Sequence, residues 1–307
     1  MEITIIAFVM FAAFLIGRAV KNKKLSFSYT VYERAGIRSD LGLEELLSRL
    51  ENAMPESYAA HVKKRVIGEG QIREEDYDYY EMELKRFFLL SAILKEVPMY
   101  NEKVDEIWHA MLMFTREYER FCEDYKGNMI HHAPSVGETK EERTLFEWIY
   151  ARLFVTDQGT YRTYERFFQQ RLSKNIMEDF NELSHHDLKG KYFQTHTNEE
   201  AANVIDRLIQ QLQYDIQHVK SGSYKKSSSR LRDGTDSVSM IPLMIFYSDT
   251  CSTHDQYCER MNDHSPSHTS THHHDHHHHH SCSGHSCSSH SCSSGSSCSS
   301  SSCGSSS

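Results

Sequence analysis

The chain has 307 residues, with 34 Lys and Arg against 43 Asp and Glu and a formal net charge of −9. Such an acidic chain argues against nucleic acid as the main partner, because phosphate contacts need clustered Lys and Arg. The length allows one sizeable domain with appendages.

The first element is an apolar run. Ile3–Gly17 carries no charge, and Thr4 is its one polar side chain. Ala19 and Val20 lengthen it, and Arg18 can snorkel, so Met1–Lys24 is expected to be a transmembrane anchor with a basic flank. Arg18, Lys21, Lys23 and Lys24 follow the run, whereas a secretory signal carries its positive charges in front. The positive-inside rule then places a single-pass anchor with the body on the cytoplasmic side. The alternative is a buried N-terminal helix of a soluble protein.

The body, residues 25–220, is expected to be all-α, with six to eight helices and no strand pattern before Asp236. It holds 25 Lys and Arg against 35 Asp and Glu over 26–220. A linker with Phe27, Tyr29 and Tyr32 leads in. Leu43, Leu46, Leu47 and Leu50 predict a helix over 41–52. Pro55 opens another, through Val66, that Gly68 and Gly70 stop. Tyr77, Leu84, Phe87, Phe88 and Ile93 stripe a longer one over 73–96, closed by Pro98.

Val104, Ile107, Trp108, Met111, Phe114, Tyr118, Phe121, Cys122 and Tyr125 then recur at steps of three and four, predicting one amphipathic helix. Asn101 is its expected N-cap and Gly127 its stop. Further helices are predicted over 138–154, over 160–183 after a break at Gly159, and over 199–219.

Asp105 and His109 stand at i and i+4 and share a face beside Trp108. His131 and His132 follow the Gly127 turn and can fold back toward that face. Asp105, His109, His131 and His132 are therefore a candidate metal set, with Asp105 as ligand or as the carboxylate behind a ligating His. The structural alternative packs His109 beside Trp108, with His131–His132 in a turn. His185, His186 and His196 read as loop histidines.

The W-H-x-x-L stretch at Trp108, followed by Tyr118, Cys122, Gly127 and the I-H-H-x-P exit, resembles the glycine-rich-domain-containing-protein-like family of plants and bacteria. Val104, Asp105, Trp108, His109, Leu112, Tyr118, Cys122, Gly127 and His131 carry the match. Many members read W-H-x-H, and Met111 stands where that second His would fall. The resemblance implies a helical domain and supplies no catalytic mechanism.

Residues 221–250 read as a Ser/Lys/Arg linker with an isolated apolar run, Met240–Tyr247. Pro242 breaks that run, which is expected to dock as a strand-like or irregular segment, with a peripheral membrane contact as the alternative. Residues 251–307 read as a disordered tail rich in Ser, His and Cys, unable to bury enough apolar surface to offset its ordering entropy. His272, His273, His274, His276, His277, His278, His279 and His280 crowd its middle. Cys282, Cys287, Cys292, Cys298 and Cys303 follow at gaps of four and five. None of these gaps, nor the six residues between Cys251 and Cys258, makes a zinc knuckle. Imidazole and thiol at this density still capture Zn, Ni or Cu. The alternative is a solubilising extension.

Two functions stand. One is a membrane-anchored, non-enzymatic binding protein whose helical body docks a protein partner and whose tail captures metal. The other is a metal-dependent enzyme centred on Asp105, His109 and His131. No nucleophile elbow, P-loop or dinucleotide fingerprint is present.

Overall fold

In the computed structural model, residues 35–132, 139–222 and 236–264 are described. They form twelve α-helices and one 3-10 turn. No strand occurs among them, and Ile37 with Phe154 and Leu94 with Phe193 pair only as isolated bridges. All the described residues fall within one compact unit of the chain.

Helix α1 spans Leu43–Ala53 and buries the Leu43, Leu46, Leu47 and Leu50 stripe. Helix α2, Glu56–Gly68, begins after Pro55 and buries Tyr58, Val62 and Val66. Helix α3, Glu74–Ile93, is central. Its successive residues Phe87, Phe88, Leu89 and Leu90 are all buried, so every face of this turn is covered. A helix apolar all round its last turns must sit inside a domain.

The predicted single helix over 104–125 is two. Helix α4 runs Glu102–Leu112 and helix α5 runs Thr115–Lys126. Asn101 caps α4 with its side chain on the Lys103 and Val104 N–H groups, and Gly127 ends α5 at φ 79°. No Gly or Pro marks the break between them. Phe114 leaves the helix there and meets the Tyr58 and His61 rings at 6.2 and 6.0 Å. Tertiary packing overrides a continuous local pattern at this point.

Helix α6, Lys140–Leu153, starts with a Thr139–Glu142 capping box. Gly159 does not break the chain: it lies inside helix α7, Gln158–Tyr164. The break comes later, where Glu165 and Phe168 take positive φ. The buried Glu147 carboxylate accepts the Phe168 N–H at 2.6 Å and holds that turn. Helix α8 follows at Lys174–Glu182, and helix α9 at His185–Tyr192. His185 is thus a helix-start residue paired with Asp206 at 3.0 Å, not a loop residue. Helix α10, Glu199–Lys220, buries Ile205, Leu208, Ile209, Leu212 and Ile216.

The expected strand-like segment at Met240–Tyr247 is helical. A 3-10 turn, Ser237–Met240, leads into helix α11, Ile241–Thr250, with Pro242 in its first turn. Proline costs nothing there, since that N–H has no helical partner. Helix α11 packs on α8 and α10. The tail does not begin at Cys251 either. Helix α12, His254–Asn262, packs on α11 and buries Tyr257, whose hydroxyl donates to the Phe168 carbonyl at 2.9 Å.

The expected transmembrane segment, Met1–Lys24, lies outside the described residues. Among those described, no helix is long and apolar enough to cross a membrane.

Candidate metal centre

Helix α4 carries Asp105 in its first turn and His109 one turn later. The i,i+4 spacing puts the carboxylate 3.7 Å from His109 Nε2. The third member arrives from outside the helix. The strap after Gly127 returns over α4 and sets His132 Nε2 2.7 Å from Asp105 Oδ1. One donor atom from each of Asp105, His109 and His132 lies within 4.8 Å of the others.

The strap is held at one residue from two sides. Ile130 donates its N–H to Cys122 Sγ at 3.5 Å, and its carbonyl accepts the Tyr118 hydroxyl at 2.5 Å. Trp108 Nε1 donates to the same hydroxyl at 3.0 Å. The Trp108 ring lies 4.5 Å from the His132 ring. Burial pushes the Tyr118 hydroxyl and the Cys122 thiol above their ordinary pKa ranges, so both stay protonated.

Of the four residues expected to form the set, three come together. His131 is exposed and stands outside the group. His132, not His131, stands beside Asp105 and His109. Cys122 sits on the next helix, under the strap and inside the core. The tail residues from His272 to Cys303 lie outside the described residues.

The side chains of His109, Asp105 and His132 are 49%, 26% and 18% exposed. One carboxylate and two imidazoles are a recognised donor set for divalent ions, and three protein ligands leave coordination positions open. Metal bonds of about 2.0–2.2 Å put neighbouring donors roughly 3.3 Å apart. The Asp105–His132 pair need only open slightly from a hydrogen bond to a shared ligand edge. His109 Nε2, at 3.7 Å from Asp105, need only close slightly to reach the same edge. The site's chemistry and reach fit a divalent ion.

Residues 50–145 match the UCP032817-like family. That family is uncharacterised. The matched span, about a third of the chain, runs from α1 into α6 and holds all three donors and the strap. No curated protein and no solved structure matches the chain.

Proposed function

We propose that this chain is a membrane-tethered metal-binding protein whose helical body holds one divalent ion on Asp105, His109 and His132. The convergence of three donors from two separate segments carries the reading. Met1–Lys24 is the proposed anchor, with the body in the cytoplasm docking a protein partner, and the His/Cys tail capturing Zn, Ni or Cu. We also propose kinship with the glycine-rich-domain-containing-protein-like family. The partly exposed donors favour binding over catalysis, since catalysis works best where water is excluded. The open coordination positions favour the second reading, a metal-dependent enzyme.

Trp108 supplies a local test. The chain has two Trp. In a Trp148→Phe chain, Cu²⁺ should quench Trp108 fluorescence, and Asp105→Asn or His109→Ala in that background should abolish the quenching. Quenching that survives both changes, or none at all, sinks the site. Substrate turnover that tracks the same ion and disappears in Asp105→Asn would move the reading to the enzyme. An impermeant maleimide that labels Cys282–Cys303 on intact cells would overturn the cytoplasmic placement.

A further inference from the structure

A cavity of about 540 Å³ opens beside α6, on residues that take no part in the Asp105 set. Its walls come from the chain after α3, the start of α6, the start of α8 and the end of α9. Two of these walls are tied together. Leu94 pairs with Phe193 in an isolated bridge, the Lys95 N–H reaches the Tyr192 carbonyl at 3.1 Å, and Gln194 Nε2 donates to the Leu94 carbonyl at 2.9 Å. Leu94, Phe146 and Ile176 belong to the buried core and still line the cavity, and Leu145 joins them half-buried. Small-molecule sites are cavities of roughly 300–1,000 Å³ with an apolar lining and a few placed polar groups, and this one has both the size and the lining.

The polar groups decide the charge of the occupant. Four carboxylates line the cavity, Glu96, Glu141, Glu142 and Asp179, against two lysines, Lys95 and Lys191. Both lysines are engaged. Lys191 pairs with Asp179, which also accepts the Tyr192 hydroxyl, and Lys95 donates to the Gly190 carbonyl. Helix starts can hold anions, but the two at this edge are already capped. The Thr139–Glu142 box closes α6, and on α8 Ser173 Oγ accepts the Ile176 N–H at 3.2 Å. An anion therefore meets no uncommitted cation here. The Glu96 and Glu141 carboxylates are exposed and accept no hydrogen bond among the described residues. We propose that this cavity binds a small organic cation, an amine on an apolar body. The body lies on Leu94, Leu145, Phe146 and Ile176, and the ammonium meets the uncommitted carboxylates Glu96 and Glu141. The cavity shares no residue with the Asp105 set, so either site can fail without the other.

The test titrates the full-length chain with dansylcadaverine, an environment-sensitive naphthalene that carries a primary ammonium. The expected result is a saturable blue shift of its emission. The anionic comparator dansylglycine should bind at least about tenfold more weakly, and Glu96→Gln with Glu141→Gln should weaken dansylcadaverine by about tenfold, the scale of a lost charged contact. Asn175 lines the cavity and is exposed, so Asn175→Trp should fill the space and abolish the shift. Asp105→Asn should leave it unchanged. The two glutamates are also exposed, so their variant keeps the fold even if Asn175→Trp disturbs α8. Three results overturn the proposal: no saturable shift, dansylglycine binding as tightly, or an affinity that the double glutamine variant leaves as it was.

Discussion

Glu83 and Asp105 are both carboxylates beside nitrogen donors, in opposite surroundings. Glu83 is 1% exposed, on the central helix α3. Arg86 Nη1 donates to one of its oxygens at 2.9 Å, and the Tyr150 hydroxyl donates to the other at 2.7 Å. Arg86 also donates to the Tyr150 hydroxyl at 2.6 Å and to the Ala35 carbonyl at 2.9 Å. Burial pushes the Glu83 carboxyl above its usual range, and the Arg86 charge pulls it back. Asp105 has two imidazoles, no guanidinium, and a quarter of its side chain in water. A carboxylate whose oxygens are saturated in the dry core fixes the fold. One partly open at the surface keeps lone pairs for an ion.

The largest expected effect tests the dry half. Arg86→Ala leaves Glu83 buried without its cation and should cost about 3–5 kcal/mol in urea unfolding. A Glu83→Met, Arg86→Met double change should recover most of that loss, because a buried pair is worth little against an apolar isostere. If the double variant is as unstable as the single, the pair is a net stabiliser and the contrast weakens.

Trp108 joins the two regions. Its ring meets Phe87 and Phe88 at 5.0 and 5.7 Å on the core side and His132 on the other. Trp108→Ala should cost about 3–5 kcal/mol, and an unchanged thermal midpoint would remove Trp108 from the core. Tyr118→Phe is milder. It strips the Ile130 carbonyl and the Trp108 N–H of a partner, at about 1–3 kcal/mol. Should Cu²⁺ quenching of Trp108 weaken in Tyr118→Phe alongside that loss, the strap positions His132. Quenching at the parent's midpoint would assign Tyr118 to stability alone.

The open half predicts the reverse. Asp105→Asn should change stability by about 1 kcal/mol or less, as surface pairs do, yet remove the response to divalent ions. A stability loss matching Arg86→Ala would place Asp105 with the structural carboxylates.

What the sequence disclosed follows this divide. Helical stripes, the Asn101 cap and the Gly127 stop were legible, because periodicity and end chemistry are local. Asp105 and His109 were legible as a pair for the same reason. The selection of His132 over His131 was not, because Tyr118 and Cys122 choose the strap's path through contacts on Ile130 that no spacing encodes. Nor was the Phe114 break, which the Tyr58 ring across α2 dictates. The helical state of 241–262 was hidden by Pro242, read as a breaker though it sits at a helix start, and by a Ser-rich neighbourhood.

The smallest effect belongs to a third carboxylate, more open than either. Asp206 is 45% exposed and accepts from Lys189 Nζ at 2.8 Å and His185 Nε2 at 3.0 Å. The Lys189 hydrogen bond chiefly holds its carboxyl below the usual range, against a small opposing cost of burial. A depressed folded pKa means that its stabilisation is present above the unfolded value, near 3.9, and is lost as pH falls through the folded one. Water screens the pair, so Asp206→Asn should cost only about 0.2–1 kcal/mol at neutral pH. The gap between parent and variant should narrow below about pH 4 and close under strong acid. Added salt should shrink it at neutral pH, since exposed charges are screened. The measurement is urea unfolding of both proteins at neutral and acid pH, in low and high salt. A gap that persists in acid would mean that the amide of the Asp206→Asn variant fails for a reason other than charge, and exposure would then be a poor guide to which carboxylates serve the fold.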